Sequence, residues 1–106
     1  LLILCTIFAS SLVHAKTFLV FGGLHGWIGQ KMIALLQEQG HTALAAQARL
    51  ENRNAVEAEI TRINPDCIIN AAGVTGRPNV DWCESNKQET IRANLVGALT
   101  LFDIAY

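Results

Sequence analysis

The sequence predicts an α/β fold, a parallel β-sheet with helices on both faces. Three observations carry that expectation. A short apolar run, Lys16 to Phe21, leads into a turn with regularly spaced glycines and then into a helical pattern. Two further apolar runs, His41 to Gln47 and Asp66 to Asn70, are each followed downstream by a helical pattern. Strand and helix therefore alternate, as they must when parallel neighbours are joined by crossover helices. With 106 residues, 51% hydrophobic and 16% charged, the chain suits one buried core and is unlike a disordered polymer.

The elements follow in order. Residues 1–15, LLILCTIFASSLVHA, carry no Lys, Arg, Asp or Glu. Their apolar part, about 13 residues, is shorter than the ~20 needed to span a bilayer as a helix. Val13-His14-Ala15 resembles a signal-peptidase site, but a basic n-region and a starting Met are missing. The segment reads either as signal-like or as a non-native apolar extension, and on both readings it lies outside the fold. Residues 16–106 make the folded unit.

Lys16 to Phe21 is apolar, β-branched and aromatic, a buried strand. From Gly26 a helix places Ile28, Met32, Leu35 and Leu36 on one stripe, and Gly40 stands where a C′ glycine ends it. His41 to Gln47 is a weaker, Ala-rich strand. Asn54 with Glu57 resembles a capping box for a helix that Asn64-Pro65 stops near Ile63. Asp66 to Asn70, DCIIN, is the third strand, and a loop rich in Gly, Pro and Asn follows. A long helix from about Lys87 to Ala105 shows Ile91, Leu95, Leu99 and Phe102 on one side. The outer edge of DCIIN has no parallel neighbour in these residues and is expected to be open to pairing or aggregation.

Several function classes are excluded. A net charge of −1 with scattered Lys and Arg offers no footprint for nucleic acid. Cys5, Cys67 and Cys83 form no CxxC and are odd in number, which argues against a disulfide framework and against a metal site. Cys67, inside an apolar strand, reads as a small buried hydrophobe. Cys83 lies beside Asp81 and Glu84, whose charge would raise a thiol pKa and so disfavours a nucleophile.

FGGLHGWIGQKM, Phe21 to Met32, spaces Gly23, Gly26 and Gly29 by threes. In a strand–turn–helix unit Gly23 permits the tight turn, Gly26 removes a side chain that would block a pyrophosphate, and Gly29 lets the helix pack closely. The helix N-terminus then faces the phosphates. The motif predicts a Rossmann-like dinucleotide cradle, with an ordinary structural turn as the alternative. Twenty residues after Gly29 stands Arg49, where a NAD-binding unit offers an acid to the ribose 2′-OH. A guanidinium there would meet a 2′-phosphate and favour NADP(H) over NAD(H). Glu51 could still serve the ribose if the register slips, and a solvated Arg49 is the plain alternative. The small residues of NAAGVTG, Asn70 to Gly76, allow the chain to pass against a cofactor at the carboxyl edge of the sheet. His25 in the glycine loop positions backbone or touches cofactor. Trp27 and Trp82 read first as packing.

GxxGWIG (Gly23 to Gly29), RLENR (Arg49 to Arg53), NAAGVTGRPNVDWCE (Asn70 to Glu84) and ETIRANLVG (Glu89 to Gly97) together resemble an extended short-chain reductase of the dTDP-4-dehydrorhamnose reductase family. Within it the chain is similar to the plant-type bifunctional UDP-4-keto-6-deoxyglucose 3,5-epimerase/4-reductases. The likeness runs from about Lys16 to Tyr106, and the NAAGVTGRPNVDWCE block is its most specific part. It implies an N-terminal part of such a reductase, with NADP(H) as cofactor and NAD(H) not excluded. The implied reaction is hydride transfer to the C4 ketone of a nucleotide-linked 4-keto-6-deoxyhexose after epimerisation at C3 and C5, giving UDP- or dTDP-L-rhamnose. Carried over by position, Gly23, Gly26, Trp27 and Ile28 lie by the pyrophosphate. Arg49 and Leu50 lie by the adenosine, and Ala71, Ala72 and Gly73 by the ribose, with His25 and Asn70 as further cofactor-binding residues. Thr75 falls between nicotinamide and substrate, with Gly76, Arg77 and Asn79 on the sugar side. Asn94 matches a helix asparagine that helps a proton relay. The likeness also implies a nucleotide-sugar substrate, no metal, a cytoplasmic location unless residues 1–15 direct secretion, and a homodimer as an arrangement open to the full-length protein.

The sequence departs from the family pattern in two places. The strand that usually carries an Asp before the second helix is compressed, and Arg49 stands in its place. The Tyr-x-x-x-Lys proton donor has no counterpart, since the one tyrosine is Tyr106. The 106-residue polypeptide is therefore expected to have no appreciable reductase activity. A non-catalytic nucleotide-binding or regulatory module, such as the family's regulatory partner of methionine adenosyltransferase, is the alternative reading.

Overall fold

A computed structural model describes residues 2–5 and 15–106. Most of the signal-like stretch, residues 6–14, lies outside the described residues. The elements are β1 (Leu2–Cys5), β2 (Thr17–Phe21), α1 (Trp27–Glu38), β3 (Thr42–Ala45), α2 (Arg53–Ile63), β4 (Cys67–Asn70), α3 (Asp81–Ser85), α4 (Lys87–Ile91), a π-helical turn (Arg92–Val96) and α5 (Gly97–Ala105).

The sheet order is β1-β4-β2-β3. β2 is central and runs parallel to β3, Thr17 opposite Thr42, and to β4, Phe18 opposite Cys67. Its alternation sorts the core. Leu19 and Phe21 face one way, into a cluster with Ala46, Leu50, Val56, Ile68 and Leu101 from the side of α2 and α5. Val20 faces the other way, onto Leu36, Ala43 and Ile69 beneath α1. Period-2 strand geometry thus gives two apolar faces, each covered by helices. Among the described residues no helix is long and apolar enough to cross a membrane.

The outer edge of β4, expected to be open, is paired antiparallel with β1, from Leu2 opposite Asn70 to Cys5 opposite Cys67. The start of the chain thus adds to the sheet, where the sequence placed it outside the fold. An apolar edge with unpaired amides and carbonyls is satisfied by any short extended apolar segment that reaches it. Cys67 is 2% exposed and disulfide-bonded, against the expectation of a plain buried thiol, whereas Cys83 is free.

The helices show where periodicity misleads. In α1 the buried side is Gly29, Leu36 and the partly buried Met32 and Ile33, while Ile28 and Leu35 are exposed. The cap of α2 lies two residues before the expected one: Asn52 accepts from Ala55 N at 3.1 Å. It ends at Asn64, whose φ of 48° and N–H to Ile60 O close the last turn before Pro65. The long helix is interrupted by the π turn, in which Gly97 N reaches back to Arg92 O. Ile91, Leu95, Leu99 and Phe102, expected to face the core, are all exposed. Ala93, Gly97 and Leu101 are buried instead. A Cβ on Gly97 would come within 2.7 Å of Leu50 Cβ, so this close approach requires the small residue. One extra residue in the π turn also rotates the stripe away from a 3.6 repeat.

Candidate functional site

The sheet reverses its winding between β2 and β4, and the connections leaving their carboxyl ends run to opposite sides of the sheet. In open α/β sheets that crevice is where ligands bind. Here it is a cleft of about 280 Å³, walled by the turn after β2, the loop after β3 and the loop after β4.

The turn after β2 is built on Gly22, a residue outside the G-x-x-G-x-x-G spacing. Its φ is +84°, and a Cβ there would lie 2.5 Å from the carbonyl carbon and oxygen of Ala71. Gly22 thus lets the ends of β2 and β4 touch through bare backbone. The tight turn was assigned to Gly23, which instead packs against Ile33 and Val20 and does not line the cleft. Gly26 N donates to Gly22 O at 3.1 Å, and Cβ atoms on Gly26 and Gly29 would lie 2.4 and 2.3 Å from that oxygen. The turn itself therefore demands glycine at both positions, which seats the first turn of α1 directly on it. Gly26 is the N-cap of α1 and lines the cleft, and no acidic side chain occupies that first turn. The unpaired N–H groups and dipole of a helix N-terminus favour an anion at such a wall.

The loop after β3 forms the opposite wall. Ala46 N bonds to Val20 O at 2.9 Å, and Leu50 is buried in the core. Between them Arg49 stands on the rim with its side chain 75% exposed, its Nη2 3.3 Å from Glu51 Oε1. Hydrogen bonding to Arg49 holds the Glu51 carboxyl below its ordinary range, burial opposing only in part. The same bond raises Arg49. The two candidate partners of the adenosine ribose thus sit together.

The loop after β4 supplies Ala71, Ala72, Gly73 and Val74. Asn70, 8% exposed, turns its Oδ1 onto Ala72 N at 3.0 Å. Asn94, in the π turn, grips this loop at two points: its Oδ1 accepts from Val74 N at 2.6 Å and its Nδ2 donates to Val74 O at 3.0 Å. Both ends of the carboxamide are engaged with backbone.

The structure therefore brings His25, Gly26, Arg49, Leu50, Ala71, Ala72 and Gly73 to one cleft. Gly23, Trp27, Ile28, Asn70 and Thr75 do not line it, and the side chains of Trp27 and Ile28 are exposed. Gly76, Arg77 and Asn79 lie farther along the β4 loop, where Asn79 Oδ1 accepts from Asp81 N ahead of α3. Sequence reasoning left out Gly22, Leu24, Gln47 and Val74. Gly22 directly follows a strand and Gln47 ends the second apolar run, so the crevice rule for α/β sheets already pointed to both.

Known proteins share this pattern. The family model described as the RmlD substrate binding domain matches residues 13–106. A bifunctional dTDP-4-dehydrorhamnose 3,5-epimerase/dTDP-4-dehydrorhamnose reductase of Arabidopsis thaliana is 52% identical over 87 residues, covering 82% of this chain and 29% of that protein. A trifunctional UDP-glucose 4,6-dehydratase/3,5-epimerase/UDP-4-keto-L-rhamnose-reductase of the same plant is 51% identical, with 13% of its length covered. The crystal structure of a UDP-rhamnose synthase from Acanthamoeba polyphaga mimivirus superposes with a TM-score of 0.81 at 34% identity, over 86% of this chain and 33% of that one. An NADP complex of dTDP-4-dehydrorhamnose reductase from Bacillus anthracis shares the fold, with a TM-score of 0.75 at 19% identity, over 90% of this chain and 34% of that one. The chain thus spans between 13% and 34% of the length of these relatives.

Proposed function

The chain belongs to the RmlD substrate binding domain family, and from that we propose that it is the NADP(H)-binding N-terminal part of a nucleotide-sugar reductase/epimerase making UDP- or dTDP-L-rhamnose from the 4-keto-6-deoxy sugar. The observation that carries this reading is the glycine-built crevice, where Gly22 meets Ala71 backbone to backbone and Gly26 opens α1 onto the same cleft.

The residues present fit a dinucleotide. The N-terminus of α1 would take the pyrophosphate, with Gly26 leaving room for close approach. Ala71, Ala72 and Gly73 offer backbone and small side chains to the ribose. Arg49 is a fixed positive charge on the rim, suited to a 2′-phosphate. Glu51 beside it suits a 2′-hydroxyl, so NAD(H) belongs to the same proposal. Thr75, Gly76, Arg77 and Asn79 would face the sugar. Asn94 holds Val74 and so shapes the wall between cofactor and sugar. NADPH held there would supply the hydride for reduction of the C4 ketone in the full-length enzyme.

A general acid must protonate the reduced carbonyl oxygen. The one tyrosine, Tyr106, is 97% exposed and does not line the cleft. The reading therefore assigns binding to these 106 residues and proton transfer to others of a full-length enzyme. A cytoplasmic location, and pairing of full-length subunits, belong to the same proposal and rest on family membership.

Thermal melting with and without NADPH tests it. A cofactor that binds only the folded state raises the midpoint, and raises it further, logarithmically, as its concentration grows. No shift at millimolar NADPH would sink the proposal, and NADPH oxidation with a UDP-4-keto-6-deoxy sugar by the 106-residue chain would refute the division of labour.

A further inference from the structure

Glu59 is 8% exposed in the middle of α2, on the face that carries Val56 into the core. A carboxylate there is costly unless its oxygens are bonded. Its partners are backbone amides of the loop after β3. Gln47 N donates to Oε1 at 3.0 Å and to Oε2 at 3.1 Å, and Ala48 N donates to Oε1 at 3.2 Å. Arg62 approaches Oε2 from the solvent side at 3.6 Å. The two amides belong to a stretch that has just left the sheet at Ala46 and has no strand partner to take them.

That stretch is the launching point of Arg49. Ala48 is tied down by Glu59, Leu50 is anchored in the core against Gly97, and Asn52 N closes the turn onto Arg49 O at 3.0 Å. Arg49 thus stands between two anchored neighbours, its side chain on the exposed rim beside Glu51. Without the carboxylate at 59 the two amides would lose their charge-assisted partner, since a carboxamide offers one oxygen and sets an N–H group where Oε2 accepts. The Arg49 backbone would be held less firmly, while the glycine turn and the Ala71 to Val74 wall stay in place.

We propose that Glu59 is a positioning residue for cofactor selection, its buried carboxylate holding the Gln47 and Ala48 amides so that Arg49 stands where an adenosine 2′-phosphate arrives. The proposal rests on reading the cleft as a dinucleotide site. A general packing role for Glu59 predicts equal weakening of NADPH and NADH. A positioning role predicts loss for NADPH alone, because only NADPH carries the phosphate that Arg49 would meet.

The test is titration of the full chain with NADPH and with NADH, followed by nicotinamide fluorescence. Glu59→Gln is expected to weaken NADPH about tenfold, the scale of one charge-assisted contact, with NADH little changed. Glu59→Asp, which keeps the charge but shortens the reach, should recover part of the loss. It also carries the comparison if the Gln variant melts below the assay temperature. In an Arg49→Ala background Glu59→Gln should cost nothing further, since the two substitutions remove one interaction. Parallel loss of both cofactors, an unchanged ratio, or additive losses in the double variant overturns the proposal. An unsubstituted chain that binds neither cofactor overturns the dinucleotide reading itself, and this one with it.

Discussion

Arg49 meets Glu51 at two points on the rim of the cleft, Nη2 to Oε1 at 3.3 Å and Nε to Oε2 at 3.4 Å. The guanidinium that suits a phosphate is thus already paired with a carboxylate, and an incoming 2′-phosphate must compete for it. Exposed ion pairs are weak, so the competition is winnable. Arg49→Ala is expected to weaken NADPH by tenfold or more, roughly the loss of a bidentate charge-assisted contact. Glu51→Gln should tighten NADPH by about threefold, on the scale of an exposed pair, and weaken NADH. Titration of both variants with both cofactors checks the opposite signs.

The same pair has a pH signature. Hydrogen bonding to Arg49 depresses the folded-state pKa of Glu51. A depressed carboxyl contributes stability above its unfolded pKa and loses it as pH falls through the folded value. The melting midpoint of the unsubstituted chain should therefore exceed that of Glu51→Gln slightly at neutral pH. The difference should close below the ordinary glutamate range. A difference that persists there would show that the effect lies elsewhere.

Gly22 and Gly40 both have positive φ, at +84° and +88°, yet they differ in surroundings. A Cβ on Gly22 would strike Ala71 at 2.5 Å, whereas Gly40 has nothing within 4 Å. Gly40→Ala should cost about 1 kcal/mol, the backbone penalty alone. Gly22→Ala adds a backbone collision that neither strand end can relieve and should cost about 4 kcal/mol or prevent folding. Urea titration of the two variants makes the comparison.

Asn94 offers a fourth test. Asn94→Asp keeps an acceptor for Val74 N but sets a carboxylate oxygen against Val74 O, where the amide donated. Both Asn94→Asp and Asn94→Ala should destabilise by about 1–3 kcal/mol and speed amide exchange at Val74. Unchanged exchange at Val74 would show that the loop is held by other means.

The central sheet was legible because its signals are local. An apolar run bounded by Gly or Pro reads as a strand wherever it lies, and three of them separated by helical patterns leave few topologies. The crevice was legible in outline for the same reason: strand ends carry the site. What the sequence hid depends on neighbours. Gly22 looks like any loop glycine until Ala71 is placed against it. Asn94 reads as a solvated or relay asparagine until the π turn aims it at Val74. Glu59 carries no signal of its own in the sequence, and its role shows only where the loop after β3 returns over it. The pairing of β1 is long-range and was invisible for that reason.

The long helix makes the last point measurable. Its sequence pattern selects Leu95 and Leu99 as core and gives no priority to Leu101, yet Leu99 is 61% exposed and Leu101 fully buried. Leu101 packs with Leu19, Phe21 and Val56 beneath the sheet, so Leu101→Ala leaves a cavity there. A loss of about 2–5 kcal/mol is expected. Leu99→Lys places a charge where the side chain already meets solvent and should change stability by no more than about 0.5 kcal/mol. Equal or reversed costs on chemical denaturation would show that the opposite side of α5 packs against the sheet.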